Sequence, residues 1–190
     1  MKIGLYFGSF NPVHVGHLII GNYTLHHTDL EQVWFVVSPQ NPHKTEAGML
    51  NEYHRLHLVN LAIEGAIGLK SSSIEFGLPK PSYTIDTLTY LEEKYPEYEF
   101  SIIMGEDSLS NLHKWKSGDI IKQRYQLYVY KRRAETNYEV DKEITVRYLE
   151  APLLDISSSY IRKEIKNGKS IKFLVAEKVE EEILKAGYYR

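Results

Sequence analysis

Two histidines stand three residues apart in a glycine-bounded segment near the start of the chain, Gly8-Ser9-Phe10-Asn11-Pro12-Val13-His14-Val15-Gly16-His17. The segment follows a predicted strand and opens a predicted helix, so His14 and His17 should face the same way at the helix N-terminus. Free N–H groups there favour phosphate, and imidazoles can add hydrogen bonds to a polyphosphate. We expect Gly8 to let the chain turn close to a ligand and Gly16 to leave room for a bulky group.

Two other interpretations of the histidine pair are weaker. A zinc half-site would need further ligands, but no third ligand cluster is apparent and the chain has no cysteine. For an isolated pair of histidines, the ordinary interpretation would be that both have a structural role only. Their position between glycines at a strand-to-helix turn favours phosphate binding instead.

A second segment, Ile156-Ser157-Ser158-Ser159-Tyr160-Ile161-Arg162, also points to an anion. A serine before an apolar helical pattern is a common N-cap, and at least one of these serines should serve as one. Capping does not explain Arg162 and Lys163, because cations in a first helical turn oppose the helix dipole by roughly 0.3–1 kcal/mol each. A bound polyanion would reverse that sign, so we predict a second phosphate clamp that faces the first.

Alternating strands and helices are predicted to position these segments. The strands are rich in Val, Ile, Tyr and Phe, and they span Lys2–Phe7, Gln32–Ser38, Ser71–Phe76, Glu99–Gly105, Gln126–Lys131 and Ile144–Leu149. The helices, from apolar spacing, span Gly16–His27, Leu50–Ala66, Thr84–Lys94, Asp107–Lys114, Ser158–Asn167 and Val175–Ala186. Gly77–Tyr83 is predicted to be an ordered loop and Arg132–Asp141 a mobile one.

This alternation predicts an α/β fold, a Rossmann-like doubly wound parallel sheet with helices on both faces. Ligands of such sheets bind beyond the carboxyl ends of the strands, where the strand order reverses. We therefore expect the two anion-binding segments to meet across one crevice. The chain is predicted to form one domain over residues 1–190, with a C-terminal helical part from about residue 157.

Composition narrows the class of protein. The chain has 190 residues, no cysteine and a formal net charge of −2, so disulfides and thiol catalysis are excluded and no overall basic field attracts nucleic acid. No stretch approaches the roughly 20 apolar residues of a membrane span, and the N-terminal sequence does not fit a signal peptide. We expect a cytoplasmic protein that binds neither nucleic acid nor membrane. The oligomeric state stays open, with a homo-oligomer as one option.

The two phosphate segments resemble the signatures S/T-F-x-P-x-H-x-G-H and I-S-S-x-x-I-R of the nucleotidyltransferase superfamily, and specifically the bacterial nicotinate-nucleotide adenylyltransferases. The resemblance covers most of the chain. Further matching segments are Asn41-Pro42-His43-Lys44, Ser82-Tyr83-Thr84-Ile85-Asp86-Thr87-Leu88, Ile102-Ile103-Met104-Gly105-Glu106-Asp107-Ser108 with Trp115, and the C-terminal Phe173-Leu174-Val175. The chain departs from the family pattern at Asn41 and Ala176, which replace prolines, and at Arg132-Arg133-Ala134, where Arg-Pro-Gly is usual.

The resemblance implies a role for each segment. His14, His17 and Arg162 would be catalytic and would hold the ATP phosphates. The residues implied to bind ATP are Gly8, Ser9, Phe10, His14, Gly16, His17, Gly105, Asp107, Ile156, Ser157, Ser158 and Arg162. Those implied to bind the mononucleotide are Asn41, His43, Lys44, Tyr83, Thr84, Trp115 and Arg132. The alternative for Asp107 is a carboxylate that helps a helix to start, and this is the preferred interpretation of Asp86. The alternative for Trp115 is a tryptophan of the hydrophobic core.

The implied reaction joins ATP and nicotinate mononucleotide to give deamido-NAD and pyrophosphate in NAD biosynthesis. Mg²⁺ would arrive bound to ATP, so no protein metal site is expected. Nicotinamide mononucleotide is an alternative acceptor that the sequence does not separate reliably from nicotinate mononucleotide. Phosphopantetheine is disfavoured because its enzymes are shorter and lack the tyrosine-threonine and tryptophan segments. A non-catalytic nucleotide sensor is a different class of function, disfavoured by the intact His14, His17 and Arg162.

Overall fold

The computed structural model describes residues 1–40, 48–131, 146–152 and 154–190, and its centre is a parallel sheet of six strands. The strands are β1 (Lys2–Gly8), β2 (Gln32–Val37), β3 (Leu69–Ser72), β4 (Glu99–Gly105), β5 (Leu127–Tyr130) and β6 (Val146–Leu149). Their order is β3-β2-β1-β4-β5-β6, and every pairing is parallel. The strand order therefore reverses between β1 and β4, and the predicted Rossmann-like fold is confirmed.

Seven α-helices accompany the described strands. They are α1 (Val15–His27), α2 (Glu52–Ala62), α3 (Thr84–Lys94), α4 (Glu106–Ser110), α5 (Gly118–Arg124), α6 (Ser158–Lys166) and α7 (Glu177–Ala186). Two short 3₁₀ turns, Ile74–Gly77 and Leu112–Lys114, precede α3 and α5. Among the described residues, no helix combines the length and apolarity that crossing a membrane requires.

Two hydrophobic cores lie on opposite faces of the sheet because successive side chains of a strand point to opposite faces. In β1, Ile3 and Leu5 pack into one core, whereas Tyr6 packs into the other. Ile3 and Leu5 are fully buried and Tyr6 is 4% exposed. Coverage of both faces explains why these strands are almost continuously apolar.

Two predicted elements differ from the structure, and one helix of the structure has no predicted counterpart. The third strand begins earlier than predicted, at Leu69, and ends at Ser72. Residues 74–76, predicted as strand, and Gly77, predicted to begin a loop, form the 3₁₀ turn Ile74–Gly77. The helix predicted over Asp107–Lys114 is divided into α4 and a 3₁₀ turn. Helix α5 was not predicted, because its seven residues are mostly polar and Ile121 is the one side chain beyond glycine that it buries.

Candidate active site

The histidine pair lies at the start of α1, with His14 as the N-cap residue. The backbone N–H of His14 donates to Nδ1 of His17 at 3.2 Å, and the two rings stack with centroids 3.7 Å apart. Because Nδ1 of His17 accepts this bond, the neutral ring carries its proton on Nε2. The His17 side chain lines a cavity, so this arrangement can present a hydrogen-bond donor to an anion there.

The glycines of this segment make room for side chains of the protein itself. A Cβ added to Gly16 would lie 3.1 Å from ring atoms of His14, and one added to Gly8 would lie 2.7 Å from the Phe10 ring. The side of Gly16 that would carry a Cβ therefore faces the His14 ring, and the contact of Gly16 with ATP stays a prediction. Phe10 has a positive φ of 45°, is 1% exposed, and packs edge-on against His17 at 5.1 Å.

The second anion-binding segment docks onto the first. Ser157 is the N-cap of α6, and its Oγ accepts from the backbone N–H of Tyr160 at 3.2 Å. Ser158 Oγ donates to the carbonyl of Pro12 at 2.8 Å, and Nη1 of Arg162 donates to the carbonyl of Asn11 at 2.7 Å. The prediction that these two distant segments meet is confirmed by these bonds.

A cavity of about 560 Å³ lies beyond the carboxyl ends of β1 and β4, where the strand order reverses. Many of the residues implied to bind substrates line it, namely Gly8, Ser9, Phe10, His17, Tyr83, Thr84, Gly105, Asp107, Trp115 and Ser158. Other implied residues are not part of its wall, namely His14, Gly16, Ile156, Ser157 and Arg162. The predictions for Asn41, His43, Lys44 and Arg132 fall outside the described residues.

The start of α3 forms another part of the cavity wall. Tyr83 is its N-cap and supplies no side-chain cap. The N–H of Asp86 donates to the Tyr83 carbonyl at 3.0 Å, so the N–H groups of Thr84 and Ile85 are the donors that this helix N-terminus offers within the described part of the chain. Asp86 lies in this first turn, as its helix-start interpretation predicts, and it also pairs with Nζ of Lys116 at 2.8 Å. Lys116 also lies 5.1 Å from the centre of the Tyr83 ring. Trp115 is half-buried and packs against the core that contains Leu112.

Arg55, on α2, was missed by the sequence analysis although it organises the site. Its side chain is 1% exposed, and its guanidinium donates to the carbonyls of Ser9 at 2.5 Å, Ser38 at 2.8 Å and Pro39 at 3.1 Å, while Nε donates to Leu50 at 2.7 Å. Burial lowers the pKa of Arg55 from its usual value, but an arginine stays protonated in proteins. Arg55 thus joins the loops that follow β1 and β2.

The spacing of α2 carried a signal for this buried arginine. Arg55 precedes Leu58 by three residues and Val59 by four, and these three are the buried residues of α2. Such spacing places all of them on one helix face. A cation on an apolar face predicts a buried guanidinium with several acceptors, because an unpaired charge there would be very costly.

Glu75, in the first 3₁₀ turn, is the second residue that the sequence analysis missed. It is 2% exposed and lines the cavity, and its Oε1 accepts from Oγ1 of Thr87 at 2.9 Å. The described part of the chain contains no group of three or more His, Asp or Glu side chains that could hold a metal ion. The cavity therefore combines an imidazole, hydroxyls, a helix N-terminus and a buried carboxyl, a set suited to binding phosphates and a second polar group.

Comparison with known proteins identifies relatives along the whole chain. A family model described as Cytidylyltransferase-like matches residues 5–164. A protein from Cytophaga hutchinsonii is 52% identical over 189 residues, covering 100% of this chain and 98% of the relative. A protein from Flavobacterium psychrophilum is 50% identical over 194 aligned residues, covering all of both chains. Both relatives carry the name "Probable nicotinate-nucleotide adenylyltransferase".

Solved structures share the fold. The nicotinic acid mononucleotide adenylyltransferase of Plasmodium falciparum, complexed with NaAD, has a TM-score of 0.81 at 20% identity, covering 99% of this chain and 97% of that one. The same enzyme complexed with APC has a TM-score of 0.80, also at 20% identity, covering 99% and 96%. These likenesses establish the architecture of the sheet and its helices.

Proposed function

Because this chain belongs to the nicotinate-nucleotide adenylyltransferases, within the wider cytidylyltransferase-like family, we propose that it transfers the adenylyl group of ATP to nicotinate mononucleotide. The products are deamido-NAD and pyrophosphate, in NAD biosynthesis. The observation that carries this proposal is the docking of α6 onto the histidine loop, through the Ser158–Pro12 and Arg162–Asn11 hydrogen bonds. This docking places Ser158 and His17 in the wall of one cavity.

The reaction requires no nucleophilic side chain. A phosphate oxygen of the mononucleotide attacks the α-phosphorus of ATP, a new P–O bond forms, and the bond to the bridging oxygen of the β-phosphate breaks. The attacking phosphate is ionised at neutral pH, so no protein base has to remove a proton. Catalysis then consists of alignment and of stabilising the charge on the transferring group.

His17 is assigned to the transferring phosphate and α6 to the departing pyrophosphate. The Nε2 proton of His17 would donate to an α-phosphate oxygen, while His14 stacks behind it and fixes Nδ1 through its backbone N–H. Arg162 donates hydrogen bonds to the Asn11 carbonyl and to the Ser159 hydroxyl, and a guanidinium carries five N–H donors in total. Its other N–H groups, together with Ser157 and Ser158 at the N-terminus of α6, would donate to the β- and γ-phosphates.

The acceptor is assigned to the wall formed by α3 and Trp115. The indole of Trp115 would contact the pyridine ring, and the N–H groups near Tyr83 and Thr84 would receive the nicotinate carboxylate. Asp107 lines the same cavity and would bind ribose hydroxyls. Asn41, His43, Lys44 and Arg132 stay predicted ligands of the mononucleotide.

Mg²⁺ is proposed as the metal, carried by ATP. Among the residues that the structure describes, the one carboxylate predicted to bind ATP is Asp107, which suits a metal held mainly by phosphate oxygens and water. When bound, the ion neutralises phosphate charge. A cytoplasmic location and the option of a homo-oligomer stay predictions from the sequence.

The deciding experiment is pyrophosphate release from ATP and Mg²⁺ with a panel of acceptors. Nicotinate mononucleotide should give the highest kcat/KM. A preference for nicotinamide mononucleotide would replace the proposed acceptor with the alternative one. Binding of ATP without pyrophosphate release for any acceptor would contradict the proposal and favour a nucleotide sensor.

A further inference from the structure

A buried carboxyl in the cavity wall has no place in the reaction just described. Glu75 precedes α3, is 2% exposed, and is fixed through Oε1 by the hydroxyl of Thr87. The transfer of an adenylyl group from ATP to a mononucleotide does not explain why a carboxyl side chain is buried beside a site that binds these two anionic substrates. Burial of a carboxylate is costly, so the position of this side chain calls for an explanation.

Two oxygen atoms at this part of the wall lack a hydrogen-bond partner within the described residues. They are Oε2 of Glu75 and Oγ of Ser82, and Ser82 is 8% exposed. Both residues line the cavity together with Tyr83 and Thr84, at the start of α3. A buried polar atom without a partner is destabilising, because it has lost its hydrogen bonds to water. A polar group of a ligand bound beside α3 would recover part of that cost.

The surroundings of Glu75 favour its neutral form. Burial raises the pKa of Glu75, and the hydrogen bond from the Thr87 hydroxyl on α3 lowers it by less. The titratable side chains that share the cavity are Tyr6, His17, Tyr83, Asp107, Lys114, Lys116 and Tyr130. A carboxyl that is desolvated and pairs with no cation among the described residues keeps its proton at pH values where an exposed glutamate has lost it.

We propose that Glu75, buried in the cavity wall beside the start of α3, is a specificity-determining residue that selects a pyridine carboxylate over the corresponding carboxamide. The proposal rests on the proposed function and adds a residue to its acceptor site. With Glu75 neutral, this part of the wall offers several hydrogen-bond donors: the N–H groups of Thr84 and Ile85 at the start of α3, the Ser82 hydroxyl and the Glu75 O–H. A carboxylate, which only accepts hydrogen bonds, matches this wall.

Ionised Glu75 would reverse the preference. It would accept hydrogen bonds and repel a carboxylate, whereas the NH₂ group of a carboxamide could donate to it. The ratio of kcat/KM for nicotinate mononucleotide over nicotinamide mononucleotide should therefore fall as pH rises through the pKa of Glu75. Both acceptors carry the same phosphate, so its ionisation cancels in the ratio.

The test measures the ratio of kcat/KM for the two mononucleotides between about pH 6 and about pH 9, a range in which buried glutamates can titrate. In the unsubstituted protein it should fall about tenfold or more with one ionisation. In Glu75→Gln it should stay high and flat, because the amide NH₂ still donates to a carboxylate and the amide oxygen still accepts from Thr87. Glu64→Gln is the matched control, since Glu64 forms an exposed pair with Lys178, and it should reproduce the unsubstituted profile.

Each outcome decides the proposal. A flat ratio in the unsubstituted protein, or the same fall in Glu75→Gln, would overturn it. If Glu75→Gln does not fold, the unsubstituted profile still decides, and Ser82→Ala should reduce the ratio at low pH. Failure of both mononucleotides to release pyrophosphate would instead defeat the proposed function. Pyrophosphate release with a pH-independent ratio would defeat the role of Glu75 alone.

Discussion

The orientation of a single imidazole, that of His17, is set by groups that need not touch substrate. The His14 N–H holds its Nδ1, the His14 ring stacks on one side, and the Phe10 ring packs edge-on. Such support is what electrostatic catalysis requires, because a donor that is already oriented costs no reorganisation when charge develops.

Replacing His17 should affect catalysis far more than folding. His17→Ala should lower kcat by about 10²–10³-fold, the range for removing one oriented donor from a developing oxyanion. The change in the unfolding midpoint should be small, because the His17 side chain is half-buried. Steady-state pyrophosphate release and thermal unfolding measure the two effects. His26→Ala is the control, because His26 is exposed near the other end of α1; unchanged turnover in His17→Ala would refute the assignment.

At the scale of elements, the N-terminus of α6 has to satisfy two requirements. Ser157 caps the helix, and the same turn is assigned to phosphates. Aspartate caps a helix about as well as serine, and its charge agrees with the helix dipole. The same charge would repel a triphosphate, so one substitution can separate stability from binding.

Ser157→Asp should leave the unfolding free energy within about 0.5 kcal/mol of the original while raising the KM for ATP about tenfold or more. Ser157→Ala should do the opposite, lowering the unfolding free energy by about 1 kcal/mol with a smaller effect on KM. Denaturant unfolding and initial rates at varied ATP distinguish the two. Equal KM values in both variants would mean that this turn does not contact the phosphates.

Arg55 joins α2 to the loops after β1 and β2, so its loss should loosen both. Arg55→Met should lower the unfolding free energy by about 3 kcal/mol, because several carbonyls lose their donor. The KM values of both substrates should rise. The control is Arg124→Met, which breaks an exposed pair with Glu92 and should cost about 1 kcal/mol or less. A loss for Arg55→Met no larger than this control would contradict the role of Arg55.

The elements and residues that the sequence predicted are those marked by local chemistry. Serines before an apolar pattern marked α6, and parallel strands placed the loops around His14 and Ser158 at one sheet edge. Helix α5 was missed because its residues are mostly polar and show no apolar period, and the 3₁₀ turn at Ile74–Gly77 because its apolar residues continue the pattern of the strand before it. Glu75 was missed because tertiary burial, rather than residue type, makes its carboxyl unusual.

For the molecule as a whole, two carboxyls shift the pH dependence of stability in opposite directions. The hydrogen bond from Lys2 is the largest of the causes that lower the pKa of Asp29, to about 2. The stabilisation that Asp29 contributes is therefore present above the pKa that it has in the unfolded chain, and it is lost as pH falls toward 2. Burial raises the pKa of Glu75. Between its unfolded and folded pKa values the native state holds a proton that the unfolded chain has released, so stability falls as pH rises.

Glu75→Gln should therefore remove a loss of stability that the unsubstituted protein shows above the ordinary pKa of glutamate. The unfolding free energy of the two proteins should diverge as pH rises from about 4.5 and become parallel above the raised pKa. Urea unfolding at a series of pH values measures this difference. Parallel curves throughout would show that Glu75 has the same pKa in the folded and unfolded states.

The order of the strands also bears on how the chain assembles as it is made. β1 hydrogen-bonds to β2 on one side and to β4 on the other, with Lys2 aligned to Glu99. Until the ribosome has delivered β4, one edge of β1 has no native neighbour, and exposed strand edges invite pairing with other chains. The nascent first half therefore needs shielding, and we expect its isolated fragment to aggregate.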